Sequence, residues 1–350
     1  MLEHRRGSLL ALGAAGLFGL SAPAAKVLIG GIDPWLLAGL LYLGSGIGLA
    51  AIMLGRRLLG IRVREASLKA ADLPWLAGAI AAGGLVGPVL LMFGLARGVA
   101  SLAALLLNLE GVFTALIAWI VFREHVHTRI GIGMMAIAAG AFTLALDGGD
   151  AMLDRGALFI GGACIAWAVD NNLTRAVSSA DPLQIAALKG LVAGAVNVIG
   201  ALVLGAPRPS ASALAGAGIV GLLSYGTSLV LFVLALRALG TGRTGAYFST
   251  APFIGATAAV LVLREPVTVP LVIGGLLMAI GVWFHLSENH EHEHVHEPLD
   301  HEHAHRHNEH HQHAHPPEMI VTEPHTHPHV HAAVRHRHAH YPDLHHRHDH

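Results

Sequence analysis

The sequence predicts an all-α integral membrane protein, with ten transmembrane helices in two inverted five-helix repeats and a disordered histidine-rich tail behind them. Three observations carry this. The chain duplicates itself, its apolar runs have the length of a membrane crossing, and its composition changes abruptly after Phe284. The stretch Leu91–Phe142 is written again in the stretch that ends at Phe284. Ala96-Arg97 falls on Leu236-Arg237 at a shift of 140 residues; after one inserted residue the shift becomes 141 and holds. Arg123-Glu124-x-Val126 then meets Arg264-Glu265-x-Val267, Gly133 meets Gly274, and Gly140 meets Gly281. Self-similarity of this kind decides architecture ahead of any local reading.

Composition agrees. Of 350 residues 53% are hydrophobic and 13% charged, with 42 glycines and a mean hydropathy of +0.56. Glycine is enriched in membrane helices because small residues let helix backbones approach closely. The formal net charge of −1 says little, since the distribution of charge carries the information. The single cysteine, Cys164, excludes an intrachain disulfide framework and a four-thiolate metal centre, and reads as a small packing residue.

Taken in order, residues 1–6 form a short polar tail with Arg5 and Arg6. The apolar run that follows has the outline of a secretory signal, with Ala22-Pro23-Ala24 in the place of a cleavage site. It has its own counterpart later, however: Phe18-Gly19 to Lys26 aligns with Trp167-Ala168 to Arg175 at a shift of 149, so the segment is expected to stay. Asp33-Pro34 matches Asp181-Pro182, each opening an apolar run. An Asp N-cap accepts free N–H groups and Pro at the first helical position has none to leave unsatisfied. The ten expected spans are 7–28, 34–55, 74–96, 99–122, 129–146, 155–178, 182–204, 212–237, 241–263 and 268–286, each near the ~20 residues a crossing needs. With the N-terminus cytoplasmic, twelve Lys and Arg fall on that side. Five fall on the other, Lys26, Arg97, Arg155, Arg208 and Arg264, which satisfies the positive-inside rule. Five spans per repeat turn the second repeat (155–286) upside down relative to the first (7–146), and both termini are expected in the cytoplasm.

These features together resemble the EamA branch of the drug/metabolite transporter (DMT) superfamily. They are the two five-span repeats, the Arg-Glu-x-Val turn before each repeat's last helix, and the paired Gly133/Gly140 and Gly274/Gly281, covering about residues 7–286. The resemblance implies a carrier of small solutes; that family imports or exports many unrelated ones and shares no substrate motif. The first repeat departs from the pattern with Glu110-Gly111 where the second has Ala251-Pro252, so the resemblance assigns Glu110 no role.

Glu110 lies near the middle of the fourth expected span. An ionised carboxylate at that depth needs a wet cavity, a partner or a proton. Its candidate roles are proton or cation coupling and substrate contact; the plainer alternative is an interhelical hydrogen bond that only packs. Asp170, Asn171 and Asn172 form a second polar cluster in the sixth span; Lys189 stands two turns into the seventh, near enough the cytoplasmic end to snorkel, and is a candidate partner for Asp170 in a pair either structural or functional. Asn108, two residues before Glu110, projects from a different helix face and reads as packing. Pro23, Gly87-Pro88 and Pro252 fall inside spans one, three and nine. Broken helices supplied by both halves are the usual mark of a transporter's central site. Tyr247 is a candidate to line that cavity, or an interfacial anchor; Tyr225 reads as an anchor.

The tail (287–350) holds 23 of the chain's 27 histidines, many in strict alternation: His290, His292, His294 and His296, then His301, His303, His305 and His307, then His325, His327, His329 and His331. Without apolar periodicity it cannot bury a core and is expected to be disordered. Imidazole suits divalent Zn, Ni, Co or Cu, and next-but-one histidines on an extended chain share a side. A flexible tail of this length reaches ~45 Å, enough to return to the cytoplasmic mouth, where His125 and His127 sit on the turn between spans four and five.

No phosphate-binding Gly-rich loop precedes a lysine and no Ser/His/Asp grouping stands in the folded part, so neither an enzyme nor a required cofactor is expected. The expected partners are the lipid bilayer and a small-molecule or ion substrate, not nucleic acid. The sequence expectation is a secondary active transporter in the cytoplasmic membrane, working in efflux. Two other readings compete with it: a divalent-metal exporter fed by the tail, and a membrane-tethered metal buffer.

Overall fold

A computed structural model of the chain describes residues 2–61, 67–122, 128–146, 154–177, 180–239, 241–286, 291–296, 299–305, 325–331 and 334–339. Arg123, Glu124, His125, Val126, His127, His290 and His307 lie outside the described residues. The first copy of the duplicated sequence contains α1 (Leu2–Gly19), α2 (Ser21–Ile29), α3 (Pro34–Leu58), α4 (Leu73–Ala79), α5 (Gly87–Arg97), α6 (Ala100–Leu106), α7 (Leu109–Phe122) and α8 (Thr128–Ala145). The second contains α9 (Arg155–Arg175), α10 (Pro182–Val203), α11 (Ala211–Val220), α12 (Ser228–Leu239), α13 (Thr241–Phe248), α14 (Ala251–Val262) and α15 (Val269–Leu286). A π-helical segment, Ile80–Val86, joins α4 to α5, and another, Gly221–Thr227, joins α11 to α12.

Seven helical stretches among the described residues are long and apolar enough to cross a membrane: Arg6–Ile29, Pro34–Leu58, Ala70–Arg97, Ala100–Val121, Thr128–Ala145, Pro182–Val203 and Ala211–Ala235. Ala251–Val262 and Val269–His285 are apolar but shorter. Among the described residues, length and apolarity thus account for seven of the ten expected spans. The shortfall has physical causes. α9 is 21 residues long but carries Asp170, Asn171 and Asn172 with an arginine at each end, and the ninth expected span is split between α13 and α14.

Helix ends follow the sequence signals. Asp33 accepts from Leu36 N–H at 3.0 Å and Asp181 from Leu183 N–H at 2.9 Å, each with Pro in the first turn. α3 and α10 also end alike. Gly60 and Gly205 take φ of 67° and 89°, and the following amides reach back, Ile61 N–H to Arg56 O and Ala206 N–H to Ala201 O, both at 2.9 Å. That is the left-handed glycine stop, which a side chain would strain.

Packing joins the two copies rather than separating them. α3 lies along α10, α8 along α15, α1 along α12 and α5 along α9. The α8–α15 contact is made by the duplicated glycines facing one another. A methyl group at Gly140 would stand 2.7 Å from the Gly274 carbonyl oxygen, and one at Gly281 2.6 Å from the Gly133 carbonyl oxygen. Small residues are what permit such backbone approach where lipid offers no hydrophobic drive.

Beyond residue 290 four extended segments are described. β1 (Glu291–His296) pairs antiparallel with β4 (Val334–Ala339), and β2 (Leu299–His305) with β3 (His325–His331). The alternation that puts next-but-one histidines on one side of an extended chain is also the two-residue period of a strand.

The glycine contact makes a prediction. Gly140→Val and Gly281→Val should each lower the thermal stability of the detergent-solubilised protein, by about 1–3 kcal/mol if the cost is that of overpacking. Gly131→Ala on the same helix, where an added methyl meets nothing within 4 Å, should be silent. Melting curves that rank the three equally would remove the glycine contact from the account.

Candidate functional site

The fourth expected span is broken at Leu107-Asn108, just before the acid. α6 ends at Leu106 and α7 begins at Leu109, so Glu110 stands in the first turn of a new helix, where the free N–H groups and helix dipole favour a carboxylate. Side chains take up the carbonyls at the break. Asn108 Nδ2 donates to Leu105 O at 2.9 Å, with Met278 Sδ at 3.8 Å, and Cys164 Sγ lies 3.5 Å from Leu106 O. Asn108 and Cys164 thus both pack, and they do so at the interruption itself.

Glu110 Oε1 accepts from Asn171 Nδ2 at 2.8 Å. Thr114 donates to the Glu110 carbonyl at 2.8 Å and lies 3.3 Å from Asn171 Nδ2. Asn172 gives its amide protons to Thr114 O and to Ala168 O, at 3.2 and 2.8 Å. One residue earlier on α9, Asp170 forms an ion pair with Lys189 of α10, both carboxylate oxygens lying 2.6 Å from Nζ. Their side chains are 7% and 17% exposed, and Thr174 donates a further bond to Asp170 at 2.8 Å. Glu110 lies close enough to feel the charges of both Asp170 and Lys189.

The Asp170–Lys189 pair rests on the first π-helical segment. A methyl group at Gly83 would collide with the Asp170 carboxylate, so the backbone must be bare there. The Gly83 carbonyl, freed by the π turn, accepts from Tyr42 OH at 2.8 Å and Trp167 Nε1 at 2.9 Å. Asn197 Nδ2 serves Gly84 O at 3.2 Å and is itself held by Trp35 Nε1, which donates to its Oδ1 at 3.0 Å. π turns recur at functional sites because they expose carbonyls to side chains.

Of the residues singled out from sequence, Glu110, Asp170, Asn171, Asn172 and Lys189 are brought together. Tyr247 is not: it lies on α13 against α1, where Ser8 Oγ donates to its hydroxyl at 3.1 Å. Tyr225 is no interfacial anchor. It belongs to the second π segment, with ring centroids 5.7 Å from Tyr42 and 6.1 Å from Phe18. Tyr42, Trp167, Thr114 and Gly83 were missed, since each reads as an ordinary member of an apolar helix. The signal that could have found them is the repeat, because the two π segments stand 141 residues apart, within one residue of the duplication's shift of 140 in that stretch.

Among the described residues no group of three or more His, Cys, Asp or Glu is placed to hold a metal ion. In the tail the backbone register sets histidine opposite histidine: His292 with His338 and His294 with His336, then His301 with His329, His303 with His327 and His305 with His325. A surface groove of about 610 Å³, lined by Arg56, Arg57 and Asp181 among others, includes none of the Glu110 cluster.

Known proteins agree with this architecture. A protein of Methanothermobacter thermautotrophicus described as an uncharacterized transporter is 29% identical over 280 residues, covering 76% of this chain and 82% of the relative. A solved crystal structure superposes with a TM-score of 0.59 at 19% identity, over 80% of this chain and 95% of that one, a likeness of fold alone. The profile of the EamA-like transporter family matches twice, over residues 5–146 and again over 154–287. With both copies of the duplicated sequence so matched, and with apolar helices of membrane length, the chain is a multi-pass membrane protein of the EamA-like transporter family.

Proposed function

We propose that this protein is a secondary active transporter that exports a small solute across the cytoplasmic membrane, with Glu110 as its coupling group. The observation that carries the reading is the unequal state of the two acids, Asp170 buried and Glu110 half-buried. Asp170 is neutralised by Lys189 at 2.6 Å, whereas Glu110 is held by the neutral amide of Asn171 at a helix break. A carboxylate that gains and loses a proton or a cation needs partners that tolerate both states, and an amide does so better than a salt bridge. Asp170 and Lys189 then fix α9 against α10, Asn171 is the residue that senses the state of Glu110, and Asn172 packs. Ten spans, inverted repeats and cytoplasmic termini complete the reading, supported by the Lys and Arg bias of the sequence.

The tail supports a second role. Opposed histidines along an antiparallel ladder suit a divalent transition metal, Zn, Ni, Co or Cu, each supplying a neutral nitrogen. The tail is then a cytoplasmic metal store, or a feeder if the metal is itself the cargo.

Glu110→Gln keeps shape and some hydrogen bonding but cannot exchange a proton. In proteoliposomes, transport driven by a pH gradient should fall about tenfold or more, the effect of losing ~1.4 kcal/mol or more of coupling, while gradient-free solute exchange persists. Full gradient-driven activity in a well-expressed Gln variant would exclude the coupling role. Removal of residues 290–350 should leave an inserted carrier that no longer binds an immobilised-metal column. Unchanged cellular metal tolerance would then separate a metal-storing tail from a metal-exporting protein, and loss of the protein from the membrane would make the tail an assembly element. Reporter fusions at Met1 and after Phe284 should both read cytoplasmic; opposite readings would require an odd number of spans.

A further inference from the structure

Two charged side chains grip the turn between α5 and α6, and the Glu110 cluster uses neither. Only Gly98 and Val99 connect these helices. Lys26 of α2 donates to the Leu95 and Gly98 carbonyls at 2.5 and 2.6 Å. That is the carbonyl end of α5, where a cation is favoured. Glu265 accepts from the Ala100 and Ser101 amides at 2.7 and 2.8 Å. These are the free N–H groups of α6, whose own N-cap residue, Val99, has no side-chain acceptor.

Glu265 comes from the other copy of the duplicated sequence, in the connection between α14 and α15, and is half of the repeated Arg-Glu-x-Val motif. Arg264 before it has φ of 56°, the left-handed region. A long side chain is held there only by its surroundings, so the motif aims the carboxylate at the other copy at the cost of local strain. A charge-assisted contact of this kind is strong when made and has a defined broken state. α6 leads from the gripped turn directly to the break at Asn108, and Glu110 is about 15 Å along at helical rise.

We propose that Glu265 and Lys26 form a latch on the α5–α6 turn that closes the end of the bundle away from the chain termini, and that its release opens the Glu110 site to that side. Glu265 is in this sense a positioning residue for transport, and the proposal rests on the transport reading above. The duplicated motif thereby has a physical use: one copy carries the carboxylate that fastens the other copy's broken helix.

The test uses Ser101, which is 1% exposed in the first turn of α6 and contributes its backbone amide to the latch. In a full-length chain carrying Cys164→Ser and Ser101→Cys, labelling by a membrane-impermeant maleimide is timed in right-side-out vesicles. With the latch intact, labelling should be slow. Glu265→Gln should raise the rate by about tenfold, the change expected from releasing one charge-assisted contact in a local opening, and Glu265→Asp, which keeps the charge, should stay near the parent rate. Lys26→Met, which leaves Glu265 untouched, should also raise it. Parent-rate labelling in both Glu265→Gln and Lys26→Met overturns the latch. So does loss of both variants from the membrane, because a contact needed only to build the fold is not a gate. Labelling needs no solute, so the latch can fail while Glu110→Gln still abolishes coupling, and the reverse outcome is equally visible.

Discussion

Everything in the membrane part depends on helices that can approach backbone to backbone. Gly140 faces the Gly274 carbonyl and Gly281 faces the Gly133 carbonyl. The α3–α10 contact uses Gly46 against Gly190, and Gly194 against Leu43, in the same way. Within a bilayer there is no water to expel from between apolar helices, so van der Waals fit and polar contacts must supply the association. Pairs of glycines serve because they bring whole backbones into contact. The same pairs set the relation of the two copies, since each contact joins a residue of one copy to a residue of the other.

Close packing then allows the helices to be interrupted. A broken membrane helix frees carbonyls and amides that lipid cannot satisfy. Here the described partners are protein groups: Tyr42, Trp167 and Asn197 on the first π segment, Asn108 and Cys164 at the α6–α7 break, and Lys26 and Glu265 at the α5–α6 turn. Tyr42, Asn197, Trp167 and Cys164 come from α3, α10 and α9, helices that bare glycines bring close to their neighbours. The interruptions also position the acid, because Glu110 gains its place in a first helical turn from the break that precedes it.

The duplication supplies the scaffold twice but the chemistry once. At the shifts of the repeat, Glu110 corresponds to Ala251, Asp170 to Ser21, Asn171 to Ala22, Lys189 to Leu41 and Trp167 to Phe18. The described polar cluster therefore lies among α7, α9, α10 and the first π segment, while the equivalent ground in the other copy holds the Phe18, Tyr225 and Phe248 rings.

The sequence by itself determined the duplication, the apolar segments, the Asp-Pro helix starts and the identity of the acids, because each is a local pattern or a repeat that can be counted along the chain. It located interruptions where a proline marks them, at Pro23, Pro88 and Pro252. It did not locate the break before Glu110 or the π segment Gly221–Thr227, where the repeat counterparts of Pro252 and Pro88 are Gly111 and Ser228. At the break before Glu110 the carbonyls are met by Asn108 and, from a distant helix, by Cys164, a contact that no spacing along the chain reveals. Tertiary structure likewise decided that Asp170 pairs with Lys189 while Glu110 meets Asn171, that Tyr247 stands apart, and that Glu265 fastens α6. The physical reason is the same in each case. A buried polar group is defined by the partner that desolvated space leaves it, and the partner is chosen by packing between helices rather than by spacing along one of them.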